Sequence, residues 1–397
     1  MQMEFRLPMS MQTDSCLQLA KYAGLKEANS NSNFVFSPFS IYLGLSLVGC
    51  GSSGRTLSQM LSFLKSQNID HLQQVGRQLV DSVKGPLVNG GPSLYFVNGV
   101  WIEKSVNLKP TFKDIVNIVY KAEAETVDFL NKPLEVTVDV NTRVEKETNG
   151  LIKNVLPHDS IGRDTRLLLA NALYFKGEWK ERFDKSKTKV SEFYLLDGSK
   201  VQVPFMTSES DQFACSCDGF KVLRLPYKQG DDYRTCFSMY IFLPDQRDGL
   251  RDLIEKVASD PGFMDRHLPV KQIQVRDFWI PKFKISFGFE ASRILKGLEL
   301  PLPFDENEAE LTDMLISPSS DGRNLYVSGS YHKCFIEIDE AGAEATAAST
   351  ATVVQPFYLP TPIDFVADHS FMFMVRDDLS GVMLFMGHLI NPSAVGN

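Results

Sequence analysis

The chain lacks the stretches that would tie it to a membrane, a nucleic acid or a metal. No apolar run approaches the ~18 residues that a bilayer-spanning helix needs. The opening residues, Met1 to Gly24, carry no apolar block ending in a small-residue cleavage site, so no secretory leader is expected. An Asn-x-Ser/Thr acceptor is missing too, because Asn391 is followed by Pro392. The six cysteines (Cys16, Cys50, Cys215, Cys217, Cys236 and Cys334) follow no framework spacing and include no CxxC pair. Together these absences predict reduced thiols and a cytoplasmic setting, with the nucleus or unconventional export as further locations. Basic runs are absent as well, and the net charge of −8 excludes a nucleic acid or an anionic membrane as the main partner.

Enzyme signatures are equally scarce. Gly49-Cys50-Gly51-Ser52-Ser53-Gly54 spells GxGxxG, but an apolar helical segment precedes it where the dinucleotide fingerprint needs a strand. There is no Walker A run and no GxSxG elbow. The six histidines (His71, His158, His267, His332, His369 and His388) never fall at the i, i+4 spacing of a helical zinc site. The expectation is no enzyme, no cofactor and no metal.

What is present is a core. Hydrophobic residues make up 43% of the 397 and charged residues 23%, the balance of a compact globular chain. Asp14–Gly24 reads as an amphipathic helix stopped by Gly24, and Phe34–Phe36 as a short strand. Ser37 is placed to cap an apolar helix with Pro38 in its first turn. Helical patterns follow over Thr56–Leu64, Ile69–Val83, Lys109–Tyr120, Glu135–Asn149, Arg251–Ala258 and Ala291–Gly297. β-Branched and aromatic runs mark strands, among them TRLLLANALYFKGEW and QIQVRDFWIPKFKISFGF. Helices come first and strands later, without βαβ alternation, repeats or linkers. This predicts one α+β domain over residues 1–397 with antiparallel or mixed sheets.

One segment departs from stable-element chemistry. From Ala343 the residues alternate with period two: Ala343, Ala345, Ala347, Ser349, Ala351 and Val353 on one face, Glu344, Thr346, Ala348, Thr350, Thr352 and Val354 on the other. Large apolar side chains would commit such a strand to a core at roughly 1.5–3 kcal/mol each; these small ones do not. They can stay solvated, or enter a packed sheet without overfilling it. By composition the segment also suits an alanine-rich helix or a linker, and periodicity leaves these readings open.

The residues around it resemble the serpin family. Glu340-Ala341-Gly342-Ala343-Glu344, followed by small residues to Ala351, is similar to the serpin hinge. Asn33-Phe34-Val35-Phe36-Ser37-Pro38-Phe39-Ser40 resembles the family's NVVFSPxS segment, and Asn171 to Trp179 its NALYFKGxW strand. His332-Lys333, then Phe365 to Phe371, Leu384 to Gly387 and Pro392, resemble its later segments in family order. Glu147 to Ile152 and Tyr194 to Gly198 look most like the plant-type members.

The resemblance implies a serpin fold of three β-sheets with eight or nine helices, an exposed reactive-centre loop over about 340–360 and closing strands over about 363–392. It implies a monomeric suicide inhibitor of serine or papain-like cysteine proteases, whose partner is a protease held in a covalent complex, or else a non-inhibitory carrier, chaperone or storage protein. It assigns the hinge to Glu340, Gly342, Ala343, Glu344, Ala345, Thr346, Ala347 and Ala348. Ser37, Ser40, Asn171 and His332 fall to a buried shutter where the central strands part. Family register puts the reactive bond at Pro356–Phe357, with Val354, Gln355 and Tyr358 as alternatives, because few proteases accept proline at that position. Ala343 stands where the family usually has Thr, and Ser370 where it usually has Pro.

Overall fold

Ser37 and Pro38 start a helix that is buried along its whole length. In the computed structural model, which describes residues 6–83, 91–230, 235–260, 262–318, 322–340 and 362–394, this helix runs Pro38–Cys50 and all 13 of its residues are buried. Ser37 accepts a hydrogen bond from Ser40 N, and Pro38 occupies the first turn, as the sequence predicts.

The described residues form nine α-helices: α1 (Arg6–Asn29), α2 (Pro38–Cys50), α3 (Gly54–Phe63), α4 (Ile69–Val83), α5 (Pro110–Asp114), α6 (Pro133–Glu147), α7 (Leu250–Ser259), α8 (Phe263–His267) and α9 (Ala291–Gly297). The strands of the first half are β1 (Phe34–Phe36), β2 (Ser93–Glu103), β3 (Glu123–Val127), β4 (Leu167–Lys176), β5 (Lys189–Tyr194), β6 (Lys200–Met206), β7 (Gln212–Cys217), β8 (Phe220–Pro226) and β9 (Phe237–Pro244). Those of the second half are β10 (Gln272–Ile273), β11 (Val275–Pro281), β12 (Phe283–Glu290), β13 (Val327–Ile338), β14 (Ile363–Val366), β15 (Phe371–Asp377) and β16 (Met383–Leu389).

Three sheets result, as the resemblance implies. Their orders are β1-β16-β15-β9-β8-β7-β10, β14-β11-β6-β5 and β12-β13-β4-β2-β3. The five-stranded sheet is covered on both faces. Its inner face, with Leu167, Leu169, Leu173, Phe175, Cys334 and Ile336, joins α2 and the seven-stranded sheet in the main core. Its outer face carries Leu168, Ala170, Ala172 and Tyr174 against Val136, Val140 and Val144 of α6. Strands buried on both sides read as continuous apolar runs, which is the character of LLLANALYF.

Two expectations need correction. α1 does not stop at Gly24 but runs on to Asn29. A Cβ at Gly24 would make only ordinary contacts, 3.7 Å from His388 Nδ1 and 3.8 Å from Phe34; the ~1 kcal/mol that a mid-helix glycine costs is too little to end a helix that buries Ala20, Ala23 and Ala28 around it. The Lys109–Tyr120 helix is real but irregular: after α5, Ile115–Val119 widens into a π turn. The GxGxxG letters sit in a helix end and the next helix start, since Gly51 caps α2 and Gly54 opens α3 with φ +51°.

Candidate functional site

At the middle of the five-stranded sheet β13 and β4 lie side by side and parallel, with His332 opposite Asn171. The same register puts Asn98 of β2 opposite Asn171 on the other side. Three polar residues thus cross the sheet in a row beneath α2. A Cβ at Gly44 of that helix would stand 3.4 Å from the Asn171 amide, so α2 rests directly on it.

His332 Nε2 accepts a hydrogen bond from Ser37 N at 3.0 Å, and the Cys334 sulfur also lies 3.0 Å from that nitrogen. The ring is fully buried, and burial pushes its pKa down to about 3. A neutral imidazole that accepts at Nε2 carries its proton on Nδ1, and Nδ1 has no partner. Asn171 Nδ2 donates to Asn98 Oδ1 at 2.5 Å, whereas Asn98 Nδ2 and Ser40 Oγ are buried without partners. The two side-chain bonds tie β13 to the start of α2 and β4 to β2, and they leave three polar atoms unsatisfied, each worth roughly 1–3 kcal/mol of desolvation.

A second group of contacts sits where β13 ends. Trp179 Nε1 donates to the Asp339 carbonyl at 2.8 Å, and its indole stacks on Tyr227 at 4.5 Å and 14°. Glu340, 4% exposed, accepts from Thr188 Oγ1 at 2.7 Å and from Lys282 Nζ at 2.6 Å. Burial would raise the Glu340 carboxyl, but the bonds from Lys282 and Thr188 outweigh it and hold it below the usual carboxylate range. The chain is thus tethered through residue 340.

Of the residues singled out in the sequence, Ser37, Ser40, Asn171 and His332 converge under α2, although the Asn171 side chain bonds Asn98 rather than His332. Glu340 is the one hinge residue in the described part. Gly342, Ala343, Glu344, Ala345, Thr346, Ala347 and Ala348 lie outside the described residues, as do Val354, Gln355, Pro356, Phe357 and Tyr358. Asn98, Cys334, Thr188 and Lys282 were not singled out from sequence, and Trp179 only as the end of the NALYFKGxW resemblance. Asn98 had one signal, a lone amide inside the apolar run LYFVNGVWIE; the others act through partners 58 to 160 residues away or two residues along a strand.

A family model described as Serpin (serine protease inhibitor) matches residues 11–392. Serpin-ZX of Arabidopsis thaliana is 48% identical over 393 residues, covering 98% of this chain and 100% of that protein. Serpin-Z2B of Triticum aestivum is 46% identical over 98% of this chain and 97% of its own length. Among solved structures, "Structure of Arabidopsis AtSerpin1. Native Stressed Conformation" superposes with a TM-score of 0.91 at 46% identity, covering 98% of this chain and 99% of that one.

Proposed function

The chain belongs to the serpin family, and we propose that it is a suicide inhibitor: a protease cleaves the segment after Glu340, and that segment enters the five-stranded sheet between β13 and β4. The observation that carries this reading is the parallel pairing of those two strands at the sheet's centre. A segment leaving the end of β13 and turning back runs antiparallel to β13, and equally to β4. Insertion would exchange one parallel ladder for two antiparallel ones, which are somewhat more stable per residue.

Register and side-chain size agree. A turn over residues 339–342 sets Ala343 opposite Ile338, Ser349 opposite His332 and Val354 opposite Val327. His332, Cys334 and Ile336 face α2, so Ala343, Ala345, Ala347, Ser349, Ala351 and Val353 would face it too. A slip of one residue would bury Glu344 instead, which makes the register strongly specified. The Ser349 hydroxyl would then arrive beside His332 and Asn171, where unsatisfied polar atoms wait. Full insertion would end at Val354, just short of the candidate bonds between Val354 and Tyr358. A protease acylated at one of them would be carried roughly 36 Å, the length of β13 at ~3.3 Å per residue.

The reading places no catalysis in the chain itself and gives it one partner, a serine or papain-like cysteine protease, bound covalently by a monomer. Incubation with a protease panel tests it. An adduct that survives denaturing electrophoresis is expected, with release of a C-terminal peptide whose mass fixes the cleaved bond. Turnover of the chain as a plain substrate by every protease tried would refute it and favour a carrier, chaperone or storage role.

A further inference from the structure

Cys215 and Cys217 lie two residues apart on β7, so their side chains share one face. Their sulfurs stand 3.8 Å apart, both residues are half-buried, and both thiols are free. The strand on the outer side of β7 is β10, which pairs with Gln212 and Phe213, so among the described residues no strand covers that edge beside the two cysteines. Across the seam, Cys215 Sγ donates to the His267 carbonyl of α8 at 3.6 Å.

Two bonds could join such sulfurs, and the geometry separates them. A disulfide needs ~2.05 Å between sulfurs and Cα atoms no more than ~6.8 Å apart. Residues two apart on a strand already sit at about that limit, at ~3.3–3.4 Å per residue, and the sulfurs would have to close the gap against the strand. Two thiolates bound at ~2.3 Å to a tetrahedral ion stand about 3.8 Å apart. The pair is preset for a one-atom bridge. Among the described residues no group of three His, Cys, Asp or Glu side chains could hold a metal, so two sulfurs and solvent would supply the ligands. That donor set offers nothing to hard cations and selects soft ones.

We propose that Cys215 and Cys217 form a two-sulfur chelating site for a soft, thiophilic divalent cation, on a sheet edge apart from the inhibitory machinery. Binding forms two metal–sulfur bonds, breaks two S–H bonds and releases two protons to solvent; nothing is oxidised or reduced.

Cd²⁺ is the probe. Titrating the reduced full-length protein, and following the thiolate-to-metal ultraviolet band together with proton release, should show one ion and two protons per chain. The affinity should fall at least tenfold in Cys215→Ser and in Cys217→Ser, and excess Mg²⁺ should not compete. A loss smaller than tenfold in either variant overturns the proposal, as does an undiminished band in the double variant or half an ion per chain with dimerisation. An independent readout needs no variant: Cd²⁺ should protect Cys215 and Cys217 together from alkylation in the unmodified protein, seen by peptide mass. Protection of neither, or of one alone, overturns it equally.

Discussion

The Trp179 indole N–H points at the Asp339 carbonyl and closes the end of β13 at 2.8 Å. This one bond sits where any segment entering between β13 and β4 would have to begin, and the ring is fixed by stacking on Tyr227. Trp179→Phe keeps the aromatic packing and removes the donor. We expect a loss of about 1–2 kcal/mol in native stability, together with faster spontaneous loss of inhibitory activity at 37 °C. Unchanged decay of activity would show that the bond does not guard the opening.

Tyr227 gives the opposite expectation. Its hydroxyl is buried without a partner, and burial raises the phenol's pKa far above its ordinary value. Tyr227→Phe removes an unsatisfied polar atom and keeps the stack. Denaturant midpoints should be unchanged or higher, by up to about 1 kcal/mol. A clear destabilisation would mean the hydroxyl has a bound partner such as an ordered water.

Glu340 and Lys282 set the next test. The Glu340 carboxylate side chain is 5% exposed against 32% for Lys282. Lys282→Met leaves that carboxylate with Thr188 alone. Because the lysine is partly solvated, about 1–3 kcal/mol is expected rather than the full cost of breaking a buried pair. The carboxyl's pKa is held below its unfolded value. Its stabilising contribution is therefore present above pH ~4.5 and is lost as pH falls through the folded value. Lys282→Met should flatten that acid limb in a melting series.

Histidine burial acts at higher pH. Burial pushes His332 down to about 3 and His388 down to about 4, the Ser32 carbonyl only partly opposing it at His388. Both folded values lie below the unfolded ~6.5, so the unfolded chain binds protons that the native chain refuses. Stability is full above pH ~6.5 and falls by about 1.4 kcal/mol per pH unit for each ring, until pH ~4 for His388 and ~3 for His332. At pH 5 the pair together costs about 4 kcal/mol. Denaturant midpoints from pH 7.5 to 5 should follow this slope, and His332→Gln should roughly halve it. A flat profile would contradict the burial of both rings.

Parity along the segment after Glu340 is testable without knowing the target protease. Ala347→Arg would face α2 in the inserted strand, whereas Ala348→Arg would face away from it. We expect the first to convert inhibition into substrate turnover, with a many-fold drop in covalent adduct, and the second to have a much weaker effect. Equal effects would reject the register in which Ser349 meets His332.

Much of the fold was legible in the order of the amino acids. Capping chemistry at Ser37-Pro38, the apolar doubly buried run of β4 and the small-residue alternation after Ala343 are local signals, and each follows from backbone geometry or side-chain volume within a few residues. The absence of βαβ alternation likewise gave the fold class. Family resemblance named Ser37, Ser40, Asn171 and His332, but not how they meet. Tertiary structure alone decided that His332 accepts from Ser37 N, 295 residues away in the chain, and that Asn171 bonds Asn98 rather than His332. It likewise decided that Gly24 continues a helix instead of ending it. The reason is the same in each case: sheet register and helix packing bring together groups whose sequence separation carries no information about distance, and burial then fixes which of them stay neutral, paired or unsatisfied.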